Sequence, residues 1–279
     1  MKIAIVGAGF AGLAAAHYLK DLGEVTLFYS KPGASPIAAG LLHKFNGRHA
    51  KKNRLADEAL PLALELIHPK KKTGLLRIAA DEEQAALFRK AAADYPQEIE
   101  LVDEKTIWIP DAWVVDTQAY LAPLQGVQKT ILSLDELHSF DRIVLCMGAS
   151  TQFYTVTPVR GQLLEVTGFP YPKTPISGQI YVIPQKNHMI VGATYERGAE
   201  IQNAEELLLP KLRDLLPDFK LERILATRTA LRASTPDHMP FIRQIDAKTW
   251  AMAGFGSKGL LYHAYFAREL VKFIEWRHL

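Results

Sequence analysis

Lys2-Ile3-Ala4-Ile5-Val6-Gly7-Ala8-Gly9-Phe10-Ala11-Gly12 stands at the start of the sequence, and its reading decides the fold. Residues 2–6 are a short β-branched, apolar run suited to a buried parallel strand. Three glycines follow with the spacing G-x-G-x-x-G. The Ala/Leu-rich stretch Leu13 to Leu22 then predicts a helix capped by Gly23. Val25 to Tyr29 supplies a second strand and completes a strand–helix–strand unit. In such a unit Gly7 permits the tight turn, Gly9 lets the backbone approach a pyrophosphate, and Gly12 lets the helix pack on the strand. The N–H groups around Ala8, Phe10 and Ala11 face the anion at the positive end of the helix. The hexapeptide alone is a weak signal, and its setting between strand and helix makes it a nucleotide-binding one.

One part of this pattern is missing. A carboxylate for the adenosine ribose is expected roughly 20 residues on, at the end of the second strand. That region reads Phe28-Tyr29-Ser30-Lys31, and the first acid after Glu24 is Asp57. Either Lys31 meets the 2′-phosphate of NADP, or Ser30 and backbone groups hold an unphosphorylated ribose.

The rest of the chain sets broad limits. Its 279 residues allow one large domain or two modest ones, and 48% hydrophobic with 23% charged residues is a globular composition. A formal charge of +3 neither demands nor excludes a polyanionic partner. Cys146 is the one cysteine, so no internal disulfide is possible, and no cluster has zinc-ligand spacing. No apolar run approaches the ~18 residues of a membrane span. The glycine-punctuated N-terminal stretch reads as a strand and turn rather than a signal peptide, so a cytoplasmic location is expected. Residues 33–42 form a small-residue loop able to lie close to a flat ligand. Helices are predicted over 55–67, 81–94 (with Asp81 as N-cap) and 203–216. Strands are predicted over 74–79, 99–102, 106–115, 143–147, 159–166, 178–183 and 188–194. A last strand, Trp250 to Ala253, leads through Gly254-Phe255-Gly256-Ser257-Lys258-Gly259 into an amphipathic C-terminal helix. The layout is α/β at both ends with a strand-rich middle.

Taken in order, these segments resemble the D-amino acid oxidase and glycine oxidase superfamily of FAD-dependent enzymes. Beyond the opening glycines, Ser35-x-x-Ala38-Ala39-Gly40-Leu41-Leu42 is similar to the loop that runs beside the isoalloxazine. Val115-Asp116 with Leu121 resembles a "VDP..L" segment, Thr117 replacing the proline. Asp141 to Ala149 resembles the strand and turn, with Gly148, that close over the dinucleotide. Pro158-Val159-Arg160-Gly161-Gln162 is the most distinctive match. Tyr181 to Pro184 with Ile190 to Thr194 resembles the substrate-domain hairpin. Leu231-Arg232 with Thr235-Pro236-Asp237 and Pro240 is similar to "GLRP.T.D..P", with Ala230 and Ala233 replacing glycine and proline. Gly254 to Leu260 resembles the turn that aims a helix at the flavin pyrimidine edge. That turn and the stretch after Gly40 also resemble a narrower branch, the flavin domain of the bifunctional enzymes that finish 5-methylaminomethyl-uridine at the tRNA wobble position. No methyltransferase domain accompanies it in this sequence. Only about 19 residues separate Leu121 from Asp141, where the family places a β-meander beside the adenine.

The resemblance implies a Rossmann-type FAD-binding domain, here residues 1–72, 116–157 and 230–279, with a discontinuous antiparallel-sheet substrate domain, residues 73–115 and 158–229. It implies FAD rather than NADP, and oxidation of a C–N bond in an amino acid or N-carboxymethyl amine. Arg232 matches the arginine that grips the substrate carboxylate, a task for a planar bidentate fork, although a surface arginine is the plain alternative. Tyr181 offers a hydroxyl or a ring wall, or is simply core. Lys258, at a predicted helix N-terminus, could stabilise negative charge at flavin N1 and O2 or be solvated. The cofactor set is then Gly7, Ala8, Gly9, Phe10, Ala11, Gly12, Ser30, Lys31, Ser35, Ala38, Ala39, Gly40, Leu41, Leu42, Gly148, Gly256, Ser257, Lys258, Gly259 and Leu260, with no metal. His43 and His263 are expected near the flavin without a chemical role, and Cys146 as a buried hydrophobe. Two basic runs, Lys44-Arg48-Lys51-Lys52-Arg54 and Lys70-Lys71-Lys72, are solvated faces or, on a wobble-uridine enzyme, contacts to tRNA phosphates. Three functions are therefore weighed: small-amine oxidation, tRNA modification, and flavin binding without catalysis.

Overall fold

The computed structural model of the protein describes all residues except 30–32, 70, 125–128, 131–133, 152, 199 and 276–279. Ser30, Lys31 and Lys70 therefore lie outside the described residues. Within the described residues the strands form a six-stranded sheet, an eight-stranded sheet and a two-stranded ribbon.

The six-stranded sheet is built around the strand Lys2–Val6, which pairs in parallel with Glu24–Tyr29 on one side and Arg142–Leu145 on the other. Ile3, Ala4, Ile5 and Val6 are all buried, as a run apolar on both faces requires when helices and loops cover both sides of a parallel sheet. One face packs on the helices Phe10–Leu19, Ala56–Ile67 and Gly259–Glu275. The last of these buries Leu260, Leu261, Ala264, Ala267, Leu270 and Ile274 along one stripe, and each large apolar side chain so placed contributes roughly 1.5–3 kcal/mol. The opposite face packs Phe28, Leu137, Ile143 and Tyr154 into a second core.

The first helix ends earlier than expected. It stops at Leu19 with Lys20 as its C-cap, so Gly23 is not the cap. Gly23 is instead where the chain passes Met1: Glu24 N–H donates to the Met1 carbonyl at 2.9 Å, and a Cβ on Gly23 would lie 2.1 Å from that oxygen.

The eight-stranded sheet is mainly antiparallel, with one parallel pairing between Ile176–Ser177 and Leu75–Ile78. Its longest pair joins Thr157–Phe169 to Lys220–Ser234. The helix Ala204–Leu215 packs against one part of it, and Glu82–Asp94 against another. Asp81 caps the latter, accepting from Gln84 N at 2.8 Å. The predicted strand 106–115 is two strands in two sheets. Thr106–Ile109 pairs with Leu75–Ile78, whereas Ala112–Val114 pairs with Leu41–His43. Pro110 has no N–H for the ladder, and a tight turn follows in which Ala112 N–H donates to the Pro110 carbonyl at 3.1 Å. Strands of the six-stranded sheet come from residues 2–29, 129–145 and 241–253, and those of the eight-stranded sheet from 75–109 and 157–234.

Candidate active site

A cavity of about 1360 Å³ opens at the C-terminal edge of the parallel sheet. Val6 and Gly7 end one strand there, Cys146 to Gly148 follow another, and Ala253 and Gly254 end a third. This is the crevice where open parallel sheets bind ligands, on either side of the strand at which the sheet order reverses. The volume exceeds the roughly 300–1,000 Å³ of ordinary small-ligand pockets and leaves room for a dinucleotide and a substrate together.

The glycine turn is shaped by contacts that no side chain tolerates. Gly7 has φ +117°, and a Cβ there would lie 2.2 Å from the Cys146 carbonyl oxygen. A Cβ on Gly12 would lie 1.8 Å from the carbonyl of Gly7, which is how helix and turn come into contact. The helix that follows has no side-chain cap at Gly9 and no acid in its first turn, so its positive end faces the cavity uncompensated. Ser35 Oγ approaches from the small-residue loop and accepts from Phe10 N–H at 3.0 Å. Gly7, Ala8, Gly9, Phe10, Ala11, Ser35, Ala38, Ala39, Gly40, Leu41, Leu42, Gly148, Gly256, Ser257, Lys258, Gly259 and Leu260 all line this cavity, and Gly12 stands behind it. A helix N-terminus met only by the neutral Ser35 hydroxyl, beside glycines 7 and 12 whose Cβ positions are filled by backbone, opens on a long cleft and fits a dinucleotide diphosphate.

The eight-stranded sheet presents Arg232 and Tyr181 to the same cavity. Arg232 is half-buried on the strand Lys220–Ser234, and its guanidinium lies across Gly161 of the neighbouring strand and donates to the Thr194 carbonyl at 3.3 Å. Among the described residues it has no carboxylate partner. Tyr181 packs on Gly192, and burial pushes its phenol up to about 12 despite the nearby Arg232. Its hydroxyl is therefore a neutral donor at ordinary pH. Lys258 turns its ammonium toward the His238 carbonyl, 3.3 Å away, and burial lowers its pKa while Asp237 opposes the shift.

His43 and His263 are both buried and neutral. Burial first, and then Arg77, drops His43 to about 3, and its Nδ1 accepts from Phe45 N–H. Burial takes His263 to about 4, with its Nε2 2.7 Å from the Tyr120 hydroxyl. Cys146 is buried against the nucleotide turn with its thiol raised to about 12.

The structure adds residues that sequence reasoning did not single out. Arg77 is buried and lines the cavity, donating to the carbonyls of Phe45 at 2.8 Å and Gly47 at 2.7 Å with its guanidinium over Phe88. Burial lowers it to about 10. An arginine inside the apolar run Leu75-Leu76-Arg77-Ile78 was the available signal. Ser177 also stands at the cavity wall and Tyr195 lines a smaller cavity that adjoins it, and nothing in their sequence spacing marks them.

The first basic run is largely neutralised. Lys44 and Lys52 each reach both Asp57 and Glu98, at 2.5–3.0 Å. Arg48 pairs with Asp81 and Glu83, and Arg54 lies 4.0 Å from Asp237. The acids absent from the run itself arrive from the next helix and from distant loops. In the second run Lys72 pairs with Asp111 at 2.5 Å.

A glycine-turned cleft on a parallel sheet, roofed by a second sheet that presents an arginine, defines a Rossmann-type dinucleotide-binding protein. Comparison with known proteins gives the family. The chain belongs to the DAO family of FAD dependent oxidoreductases, whose model matches residues 2–127 and 122–273. Among curated relatives, the tRNA 5-methylaminomethyl-2-thiouridine biosynthesis bifunctional protein MnmC of Maricaulis maris is 25% identical over 299 residues, 96% of this chain and 51% of that protein. The protein of the same name from Thiobacillus denitrificans is 25% identical, across 98% of this chain and 56% of its own length. The chain thus spans about half the length of the curated relatives it matches. Among solved structures, glycine oxidase from Geobacillus kaustophilus superposes with a TM-score of 0.76 at 19% identity, covering 98% of this chain and 94% of that one. Iminodiacetate oxidase from Chelativorans sp. BNC1 gives 0.74 at 17% identity, covering 98% and 95%. At such identities the likeness is one of fold. No helix among the described residues is long and apolar enough to cross a membrane.

Proposed function

We propose that the protein binds FAD along this cleft and oxidises the C–N bond of an amine that carries a carboxylate, such as an amino acid or an N-carboxymethyl amine. In this reading residues 1–72, 116–157 and 230–279 hold the cofactor, and residues 73–115 and 158–229 build the substrate side. The observation that carries it is the Arg232 guanidinium, without a carboxylate of its own among the described residues, over the same cavity that begins at Gly7.

Backbone N–H groups of Ala8, Gly9 and Ala11 would take the diphosphate, with the Ser35 hydroxyl, already bonded to Phe10 N–H, beside them. Residues 38–42 and 256–260 would flank the isoalloxazine. The flavin, when bound, supplies a two-electron acceptor for the hydride on the carbon next to nitrogen, leaving an imine for water to hydrolyse. Arg232 fixes the carboxylate by a charge-assisted fork, and that contact orients the carbon to be oxidised. Tyr181, kept protonated by burial, donates to substrate oxygen or walls the site against water.

A second reading has the substrate as a 5-carboxymethylaminomethyl-uridine in tRNA, and the names of the curated relatives favour it. Most of the run at 44–54 is paired with acids, so the phosphate contacts of this reading would fall to Lys51 or to cations elsewhere.

The test is a visible spectrum of the purified protein, followed by mixing under argon with glycine, sarcosine, D-amino acids and hypomodified tRNA. The expected result is a yellow protein bleached by at least one of these, with Arg232→Ala still yellow but no longer bleached. A preparation that stays colourless in excess FAD refutes the proposal.

A further inference from the structure

A second cavity of about 410 Å³ continues outward from the first. The two share Gly47, Arg77, Ser177, Tyr181, Ala193, Arg232 and Ser257, so Arg232 stands where they meet. A substrate as small as glycine or sarcosine is accommodated on the inner side of that arginine. The outer room suits something larger attached to the amine.

One aromatic side chain faces this outer room without being packed into a core. Tyr195 lines the cavity and is 51% exposed, although its neighbours Thr194 and Glu196 are each only 6% exposed. The alternation is that of extended backbone, with Thr194 and Glu196 inward and Tyr195 outward. The inward pair is locked. The Glu196 carboxylate accepts from Gln162 Nε2 at 3.0 Å, from Gln202 N–H at 3.3 Å and from the Thr194 hydroxyl. Backbone bonds tie Thr194 N–H to the Gln162 carbonyl, and Glu196 to Arg160 in both directions. On the outward side Arg197 donates to the Tyr195 hydroxyl at 3.4 Å, with its guanidinium 5.5 Å from the ring centroid. The backbone on either side of the ring is held by this buried polar network, and a cation lies over the ring. The backbone that carries the ring is thus ordered before any ligand arrives, which limits the entropy lost on binding.

We infer that Tyr195 is the stacking surface for a planar heterocyclic ring carried on the substrate's amine, and so selects an amine attached to a pyrimidine-type base over a free amino acid. The inference rests on the proposed reading in which Arg232 holds the carboxylate, because that contact places the rest of the substrate in the outer cavity. A half-exposed tyrosine on an ordered backbone is a platform on which any base can stack, since every base offers a π-face. Arg197 on the ring completes a cation–aromatic layer of the kind used for unstacked nucleotides. Arg232 also lies close enough that its charge, after the hydrogen bond from Arg197, helps hold the Tyr195 phenol below its ordinary pKa.

The experiment compares Tyr195→Ala and Tyr195→Phe with the flavin-loaded wild type in two measurements. The first is anaerobic bleaching by 5-carboxymethylaminomethyluridine and by sarcosine, giving the ratio of kcat/KM for the two. The second is equilibrium dialysis of the labelled nucleoside, which needs no turnover. A stacked base is worth enough that Tyr195→Ala is expected to lower the ratio and weaken nucleoside binding by about tenfold or more, with Tyr195→Phe restoring both. An unchanged ratio and dissociation constant in Tyr195→Ala overturns the inference, as does a Phe variant no better than Ala. If neither compound bleaches the flavin while dialysis still depends on the ring at 195, the stacking surface stands and the oxidation reading falls.

Discussion

Replacing Gly161 by alanine tests the position of Arg232 without touching the arginine. Gly161 sits in the strand Thr157–Phe169 opposite Ala230, and its backbone lies outside the left-handed region, so alanine can adopt it. The new methyl, however, would lie 2.2 Å from Nη2 and 2.3 Å from Cζ of Arg232. Ordinary contact begins at 3.4 Å, so the guanidinium must withdraw by about 1.2 Å. It can do so, because the atoms displaced belong to the far end of a flexible side chain rather than to backbone. A misplacement of about 1 Å in a positioning group costs on the order of 100-fold in rate, or about 2.7 kcal/mol of transition-state stabilisation. Global stability should move the other way. Glycine to alanine at a compatible position gains roughly 0.4–1 kcal/mol by restricting the unfolded chain. The expected signature is therefore split: kcat/KM for anaerobic flavin reduction down about 100-fold, flavin content unchanged, and melting temperature equal or slightly raised. Wild-type kinetics within threefold would mean that Arg232 does not position the substrate, and the reasoning would fail at that step.

Acid stability should report the two buried histidines. His43 and His263 have folded values near 3 and 4, below the value of about 6.5 in an unfolded chain, so the unfolded state takes up their protons first. Their contribution is complete above about pH 6.5 and is lost as the pH falls toward 4, amounting to about 3 kcal/mol by pH 5 for the pair. Melting curves at pH 6.5 and 5 should differ less in a His43→Gln/His263→Gln variant than in the wild type; equal differences would show that these imidazoles do not govern the loss. Cys146, buried with its thiol near 12, should ignore a thiol reagent in the native protein and react with one equivalent in denaturant. Rapid native labelling would place it on the surface instead.

Much of the nucleotide half was legible because its signals are local. The order strand, three glycines, helix, strand within residues 2–29 follows from apolar runs and from turns that admit only glycine. The Asp81 cap and the small-residue loop at 33–42 were readable for the same reason. Where local chemistry is ambiguous the reading slipped. An apolar run hid the break at Pro110 between two sheets, and a glycine required by a crossing chain looked like a helix cap.

The strand Lys220–Ser234 shows what sequence pattern cannot carry. It was not predicted, because its alternation is inverted. Leu225 is exposed and Leu231 opens onto the cavity, while Arg228 and Arg232 are half-buried. Arg228 is sheltered by Glu165 and Arg232 by its place across Gly161 and against the Thr194 carbonyl, facts about the neighbouring strands and not about this one. The basic run at 44–54 makes the same point in reverse. Its lack of acids is real along the chain, yet Asp57, Asp81, Glu83 and Glu98 meet it through space. By itself the sequence determined the nucleotide-binding turn and the class of fold, since both depend on neighbours a few residues apart. Tertiary structure alone decided which charges are spent on one another, that Arg232 has no carboxylate partner among the described residues, and that Tyr195 lines the second cavity. Those outcomes depend on distances between residues that the chain order leaves unspecified.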